Sequence, residues 1–532
     1  MTTLADEATL QESRERSPRH AMSRAGELRS RIVSTPSWVW HLLIAAFALV
    51  LRTVRLGTPD SLVFDESYYV KQAWSMILTG VELRVDPSLD KTANDLFASG
   101  SPGVFTANGD LVVHPPLGKW LIAAGQSAFG VENPWAWRIV PVIAGALTVY
   151  VLARLVTRLL GPWWGTLAAA LLTFESTSFV VSRTGILDIF VGLFGMLALW
   201  FVVIDRDWTR ARLLRTNASQ LLYGPWMFHP WRWAAGASLG AMTATKWSGL
   251  YLTAVLGLFV VVMDMLDRRK AGVVRWHVGA IPGAVLAFVQ LVILNVALYV
   301  VSWAGWFASD LGYARNWARE NPASGLGALV PDSLRSLWQY HKEIFDLSLG
   351  MESEHPYATN PITWMLQDRP TLFFQRQTPA GTNDCTASSS CYETVSSIGT
   401  VPLWWLGILA FFVCVALVVA GHRMGRVSLA AAVGVVGIAG LYLPWFTLGE
   451  RTIYSFYTGA FAPVVILCVV TMLAAIAGRD ATSKRYEAMR WAGVGLLAVT
   501  AFWFVWFYPV LTGQMVSQEL WESRMGLWKN WT

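Results

Sequence analysis

Charge is scarce in this chain: Asp, Glu, Lys and Arg make up 14% of its 532 residues, against about 25% in a typical soluble domain. With 54% of the residues hydrophobic, the deficit excludes an ordinary soluble globule and calls for lipid as solvent. The apolar runs do not alternate, which excludes a transmembrane β-barrel. No Walker loop and no dinucleotide fingerprint is present, and no cluster of histidines and cysteines has metal-ligand spacing, so nothing points to a bound nucleotide or zinc. The two halves show no similarity to each other, and ionisable residues gather at span ends rather than mid-membrane, which argues against a transporter. Only four cysteines occur, and Cys414 and Cys468 fall inside apolar segments.

What is present is a series of apolar runs of about 17 to 25 residues, the length that crosses a roughly 30 Å hydrocarbon core as a helix. Residues 1–36 are polar and arginine-rich and read as a disordered cytoplasmic arm. Spans follow at about 38–56, 135–155, 163–181 and 186–205. The stretch 232–264 would be about 50 Å long as one helix and overshoots the bilayer. It reads instead as a hairpin, because Arg206, Arg210, Arg212 and Arg215 precede it while Arg268, Arg269, Lys270 and Arg275 follow it, and both basic segments then stay inside. Further spans at 277–304, 401–420, 428–446, 453–477 and 491–511 bring the expected total to about eleven. That parity puts Arg423, Arg426, Arg479, Lys484, Arg485 and Arg490 inside and the tail 513–532 outside. The net charge of +6 is absorbed by the inner loops and the anionic lipid they face, and does not argue for nucleic acid.

Two outer loops, 57–134 and 305–400, are far longer than connections require, and function is expected there. The second holds Cys385 and Cys391, which either form a disulfide suited to an oxidising exterior or remain two free thiols. In the first, Asp65 and Glu66 precede an amphipathic stretch from Tyr68 to Leu78. They read either as a general base held at the membrane surface or as acids complementing a helix N-terminus. His114-Pro115-Pro116-Leu117-Gly118-Lys119 ends an extended segment and starts a helix, with Lys119 either functional or merely snorkelling. Arg138, Arg183, Asp188, Lys246 and Arg451 lie at outer span ends. There cations could hold a lipid phosphate, although Arg183 and Asp188 could equally pair with each other.

In this order, Phe64-Asp65-Glu66, the His114 to Lys119 segment, Ser182-Arg183 to Leu187-Asp188, and Lys246-Trp247-Ser248-Gly249-Leu250 resemble the protein O-mannosyltransferases. His355-Pro356-Tyr357 with Pro361 and Trp364, Tyr442-Leu443-Pro444-Trp445, and Arg451 to Tyr457 continue the likeness, which covers about residues 38–510. Met365 stands where the family pattern has proline, and loop 305–400 has no room for the β-trefoil domain of eukaryotic members, so the smaller actinobacterial form is the nearer likeness.

The resemblance implies an all-α polytopic membrane protein of the GT-C glycosyltransferase type, with about eleven transmembrane helices and interfacial helices in its outer loops. The implied domain plan is a catalytic region over 37–512. It also implies a polyprenyl-phosphate-mannose donor and a Ser/Thr-containing exported polypeptide as acceptor. Asp65 maps to the catalytic acid and Glu66 to a group orienting it. Arg138, Lys246 and Arg451 map to donor-phosphate binding, and His114, Lys119, Arg183, Asp188, His355, Tyr357 and Tyr457 to the cavity. No cofactor is required by this scheme; a divalent metal at Asp65 and Asp188 is the less favoured variant. Membrane lipids and the translocation machinery are candidate partners, and the expected location is the bacterial cell membrane, with the N-terminus inside and the active site and C-terminus outside. A sister transferase with another polyprenyl-linked sugar or a glycan acceptor, or a scaffold with silent acids, are the alternatives.

Overall fold

The computed structural model describes residues 36–531 except 91, 351–354, 383, 422–424 and 448–450. The arm 1–35 and the expected inner Arg423 therefore lie outside the described residues. His41–Thr532 form one compact unit.

Helices occupy every apolar run. α1 is Ser37–Thr53 and is followed by α2, Glu66–Thr79, which coincides with the amphipathic stretch of the first long loop. α3 is Leu117–Phe129, α4 Pro134–Leu160, α5 Pro162–Phe174, α6 Ser176–Val181 and α7 Asp188–Arg215. The hairpin is resolved as α8, Pro230–Thr243, and α9, Gly249–Lys270, joined by a turn that carries Lys246. α10 spans Trp276–Ser302. α11, Asp332–Leu349, lies in the second loop, and α12 Val401–Val419, α13 Arg426–Leu441, α14 Ala462–Ala477 and α15 Lys484–Thr512 complete the bundle. Among the described residues seven of these helices are long and apolar enough to cross a membrane, so the chain is a multi-span membrane protein. α1, α5, α8 and α14 are shorter.

Local chemistry sets the boundaries. Asn133 caps α4 by accepting from Trp135 N, with Pro134 at the first helical position. Gly161, at φ 105°, takes the left-handed turn that ends α4, and Pro162 restarts the chain as α5. The run expected as one span at 163–181 breaks at Glu175, whose carboxylate accepts from Thr177 N, Ser178 N and Trp404 Nε1. A side chain that satisfies the amides of the next turn ends one helix and begins another. The span expected at 453–477 likewise becomes helical only from Ala462, after a short 3₁₀ segment Ser455–Ala460. α14 is buried on nearly every side, the pattern of a central helix.

The two long loops and the C-terminal tail add two small antiparallel sheets that hydrophobic periodicity did not reveal. β1, Leu83–Val85, pairs with β2, Phe105–Gly109, and β3, Thr371–Thr378, pairs with β4, Cys391–Ser397, which in turn pairs with β5, Met515–Ser517. Cys385 and Cys391 form a disulfide across the β3–β4 turn. Trp531 Nε1 donates to Gln367 O at 3.0 Å. With β5, this holds the tail on the same end of the bundle as the 305–400 loop.

Candidate active site

Three motif segments meet at this end because their backbones approach closely. Leu117 N donates to Ala244 O at 3.0 Å. A Cβ on Gly118 would come within 2.7 Å of Leu187 Cδ2 and 2.9 Å of Thr245 Cγ2. The lack of a side chain there lets the α3 start, the Asp188 turn and the Lys246 turn share one space.

Asp65 occupies the N-cap of α2. The residue before it, Phe64, has φ 47°, a conformation that costs a bulky side chain roughly 1–3 kcal/mol and persists only where packing enforces it. Here the Phe64 ring stacks on Phe373 at 5.0 Å and meets Tyr454 and Phe456 edge-on at 5.3 and 5.4 Å. Tyr69 OH donates to Asp65 Oδ2 at 3.3 Å. Burial pushes the Asp65 carboxyl from 3.8 up to about 6; Lys246 opposes the rise and Asp188 adds to it. Burial also raises the Tyr69 phenol well above its ordinary value, so it remains a proton donor to the carboxylate.

Lys246 Nζ contacts Asp188 Oδ2 at 2.8 Å, with both side chains buried, and lies 5.0 Å from the Tyr457 ring centroid. Asp188 begins α7, where a negative charge complements the helix dipole. Burial holds His114 well below its usual value, and Lys246, Arg451 and Lys119 add to the effect, so its ring is neutral. Lys246, His114, Arg451 and Tyr457 line a cavity of about 530 Å³ whose remaining wall is largely apolar, including Leu250, Tyr251, Val296, Phe345 and Leu349. Asp65 itself does not line that cavity; the Lys246 charge acts on its carboxyl, and its own charge acts on the Tyr457 phenol. The arrangement offers a carboxylate able to take a proton, a cationic rim able to meet an anion, and an apolar slot.

Several expected site residues serve the scaffold instead. Arg138 is not open to a phosphate. Its Nε and Nη2 form a two-pronged pair with Glu66 at 2.8 and 2.7 Å, and Nη1 and Nη2 donate to the Leu56, Pro59 and Ser61 carbonyls. Glu66 also accepts from Gly185 N at 2.8 Å and Val63 N at 3.0 Å, so it anchors the start of α2 and positions its neighbour Asp65. Arg183 does not pair with Asp188; it donates to the carbonyls of Arg52, Val54 and Arg55 and closes the end of α1. Lys119 is fully buried against Glu82 at 2.5 Å and donates to His114 O at 2.9 Å, which sets the His114 backbone rather than lining the cavity. His355 packs on Tyr454 and Phe64, 5.1 and 6.4 Å between ring centres, with Tyr357 beside it at 5.9 Å. Both flank the Asp65 loop rather than the cavity. Among the described residues no three Asp, Glu, His or Cys side chains converge to hold a metal.

Sequence reading missed a polar chain on the cavity wall. His341 Nδ1 lies 2.6 Å from Leu337 O, which can only accept, so Nε2 accepts from Tyr299 OH at 2.7 Å, and that hydroxyl accepts from Trp247 Nε1 at 2.9 Å. The available signal was the α11 face of Leu337, Tyr340 and Ile344, buried at helical spacing, which brings the adjacent His341 toward α10.

The fold is that of the GT-C membrane glycosyltransferases. A solved Pmt1-Pmt2 protein O-mannosyltransferase complex from S. cerevisiae, bound to its sugar donor, superposes with a TM-score of 0.70 at 15% identity, covering 93% of this chain and 92% of that one. The family model described as dolichyl-phosphate-mannose-protein mannosyltransferase matches residues 42–308, and that of the C-terminal four-span region of protein O-mannosyltransferases matches residues 333–531. A polyprenol-phosphate-mannose protein mannosyltransferase of Mycobacterium tuberculosis is 31% identical over 512 residues, 92% of this chain and 91% of that protein. One from Corynebacterium glutamicum is 31% identical over 509 residues, with 92% of each chain covered. The chain belongs to the protein O-mannosyltransferase family.

Proposed function

We infer that this enzyme transfers mannose from a polyprenyl phosphate to serine or threonine hydroxyls of exported polypeptides, at the outer face of a bacterial cell membrane. The observation that carries this reading is the meeting, at one end of the bundle, of a half-buried carboxylate with a raised proton affinity and a cationic rim on a largely apolar cavity. Asp65 takes the acceptor hydroxyl proton as the oxygen attacks the anomeric carbon. The bond from that carbon to the phosphate oxygen breaks, and the phosphate leaves with the electron pair into the field of Lys246 and Arg451. One displacement inverts the anomeric centre, so a β-linked donor gives an α-mannoside. The charge of the leaving group is met by side chains, and the scheme uses no metal.

The test is incubation of the purified protein with radiolabelled polyprenyl-phosphate-mannose and three acceptors: a Ser/Thr-rich peptide, its Ala-substituted counterpart, and a lipid or glycan acceptor. Label on the Ser/Thr peptide alone supports the reading. Donor consumption with label only on lipid or glycan overturns the acceptor assignment in favour of a sister transferase.

A further inference from the structure

The opposite end of the bundle carries a second, oppositely equipped cavity. Asp188 and Arg206 lie eighteen positions apart on α7, about 27 Å at the helical rise, so this cavity is about a hydrocarbon thickness from the active site. Its volume is about 160 Å³, and its walls hold Arg158, Arg206, Arg210, Lys270 and Arg426, with Asp207 as the one acid.

The five cations come from four helices, α4, α7, α9 and α13, and the acids near them do not balance them. Arg158 pairs with Asp207 at 2.8 Å. Arg206 pairs with Asp267 at 3.0 Å, and Arg210 reaches the same carboxylate at 3.8 Å. Lys270 acts on the charge of Asp267 but makes no ion pair among the described residues. Arg426 Nη1 donates to Arg158 O, which ties α13 to the end of α4. Among the described residues, five positive charges therefore face two negative ones. The inside preference for Lys and Arg accounts for basic residues at this end, but it does not require them to converge from four helices around one space. Leu159, Val203 and Leu429 form the apolar part of the wall.

We propose that this cavity binds the phosphate head of an anionic phospholipid from the leaflet opposite the active site. The guanidinium groups supply charge-assisted hydrogen bonds to the phosphodiester oxygens, and the apolar wall accepts the glycerol and first methylenes. Basic pockets between spanning helices are suited to such head groups. Occupancy fastens the ends of α4, α7, α9 and α13 together.

The experiment uses the full-length protein in neutral detergent and native mass spectrometry with an equimolar mixture of phosphatidylglycerol and phosphatidylcholine. Wild type should retain phosphatidylglycerol selectively. The Arg210→Gln/Lys270→Gln variant should retain it about thirtyfold less well, at the contribution expected of each surface cation. The charge-preserving Arg210→Lys/Lys270→Arg variant should restore retention. Should the double variant melt early, Lys270→Gln alone carries the test with about a fivefold loss. Equal retention of the two lipids, or undiminished phosphatidylglycerol on the glutamine variants, overturns the proposal. Displacement of the lipid by equimolar inorganic phosphate assigns the site to the free anion and overturns the lipid assignment.

Discussion

Glu66→Gln separates the positioning role given to Glu66 from a chemical one. The Glu66 carboxylate makes four hydrogen bonds, two from Arg138 and one each from Gly185 N and Val63 N, which occupies the acceptor capacity of both oxygens. A glutamine presents an amide NH₂ to partners that are all donors, and it leaves the Arg138 guanidinium, 1% exposed, without its counter-charge. Breaking one side of such a buried pair costs about 3–5 kcal/mol. The same change frees the start of α2, and a displacement of about 1 Å at Asp65 costs on the order of 10² in rate. The assay is thermal melting in nanodiscs beside transfer activity per folded molecule. Glu66→Gln should melt well below wild type and transfer on the order of 10² more slowly, with the pH midpoint of the residual activity still set by Asp65. Glu66→Leu/Arg138→Met, which removes both charges, should recover much of the stability, because an apolar pair of similar volume is often neutral or better. A Glu66→Gln protein as stable as wild type would refute the reasoning, and one of normal stability without activity would make Glu66 a participant in the chemistry.

The remaining predictions concern the chemistry and the packing around it. Asp65 must be ionised to act as a base, and its carboxyl is pushed up to about 6. Transfer should therefore be level above pH 7 and fall tenfold per pH unit below about 6; a midpoint near 4 in kcat/KM would contradict the burial assigned to it. Lys246→Met removes the charge expected to face the leaving phosphate and leaves Asp188 without the partner it has at 2.8 Å. It should lower kcat/KM by roughly 10²–10³, and a loss below tenfold would remove Lys246 from the phosphate role. Gly118→Val places atoms where Leu187 and Thr245 already stand, at 2.7 and 2.9 Å from the first added carbon. It should cost about 1–3 kcal/mol of stability by overpacking and reduce transfer more than a valine at the solvent-facing Gly103, whose added carbon meets nothing within 4 Å.

The parts of this fold that were legible in the sequence are those set by hydrophobic run length and by charges flanking the runs. The 232–264 hairpin followed from arginines on both sides of it, and the structure breaks there between Thr243 and Gly249. The helix that starts at Glu66 followed from its amphipathic stretch. What was not legible is the partner of each charge. Arg138 stands at a span end, where a cation suits a lipid phosphate, and only the fold shows that Glu66, 72 positions earlier, already occupies it. Arg183 and Asp188 are five residues apart, yet they diverge to the α1 carbonyls and to Lys246. Lys119 is claimed by Glu82, a residue with no motif around it. The break at Glu175 was hidden because a carboxylate that caps the next turn looks, in one dimension, like a stray charge in an apolar run. The β3–β4–β5 sheet joins residues 371–397 to 515–517, a pairing across more than a hundred residues that no local pattern encodes.

The most direct test of the central claim is the single-turnover rate of Asp65→Asn with donor and peptide at saturation, beside a separate measurement of donor binding. Asparagine keeps the shape and cannot take the proton. A fall of roughly 10² or more in the rate of mannose transfer is expected, with donor affinity changed by no more than a few-fold. A variant that transfers at the wild-type rate would contradict the central claim.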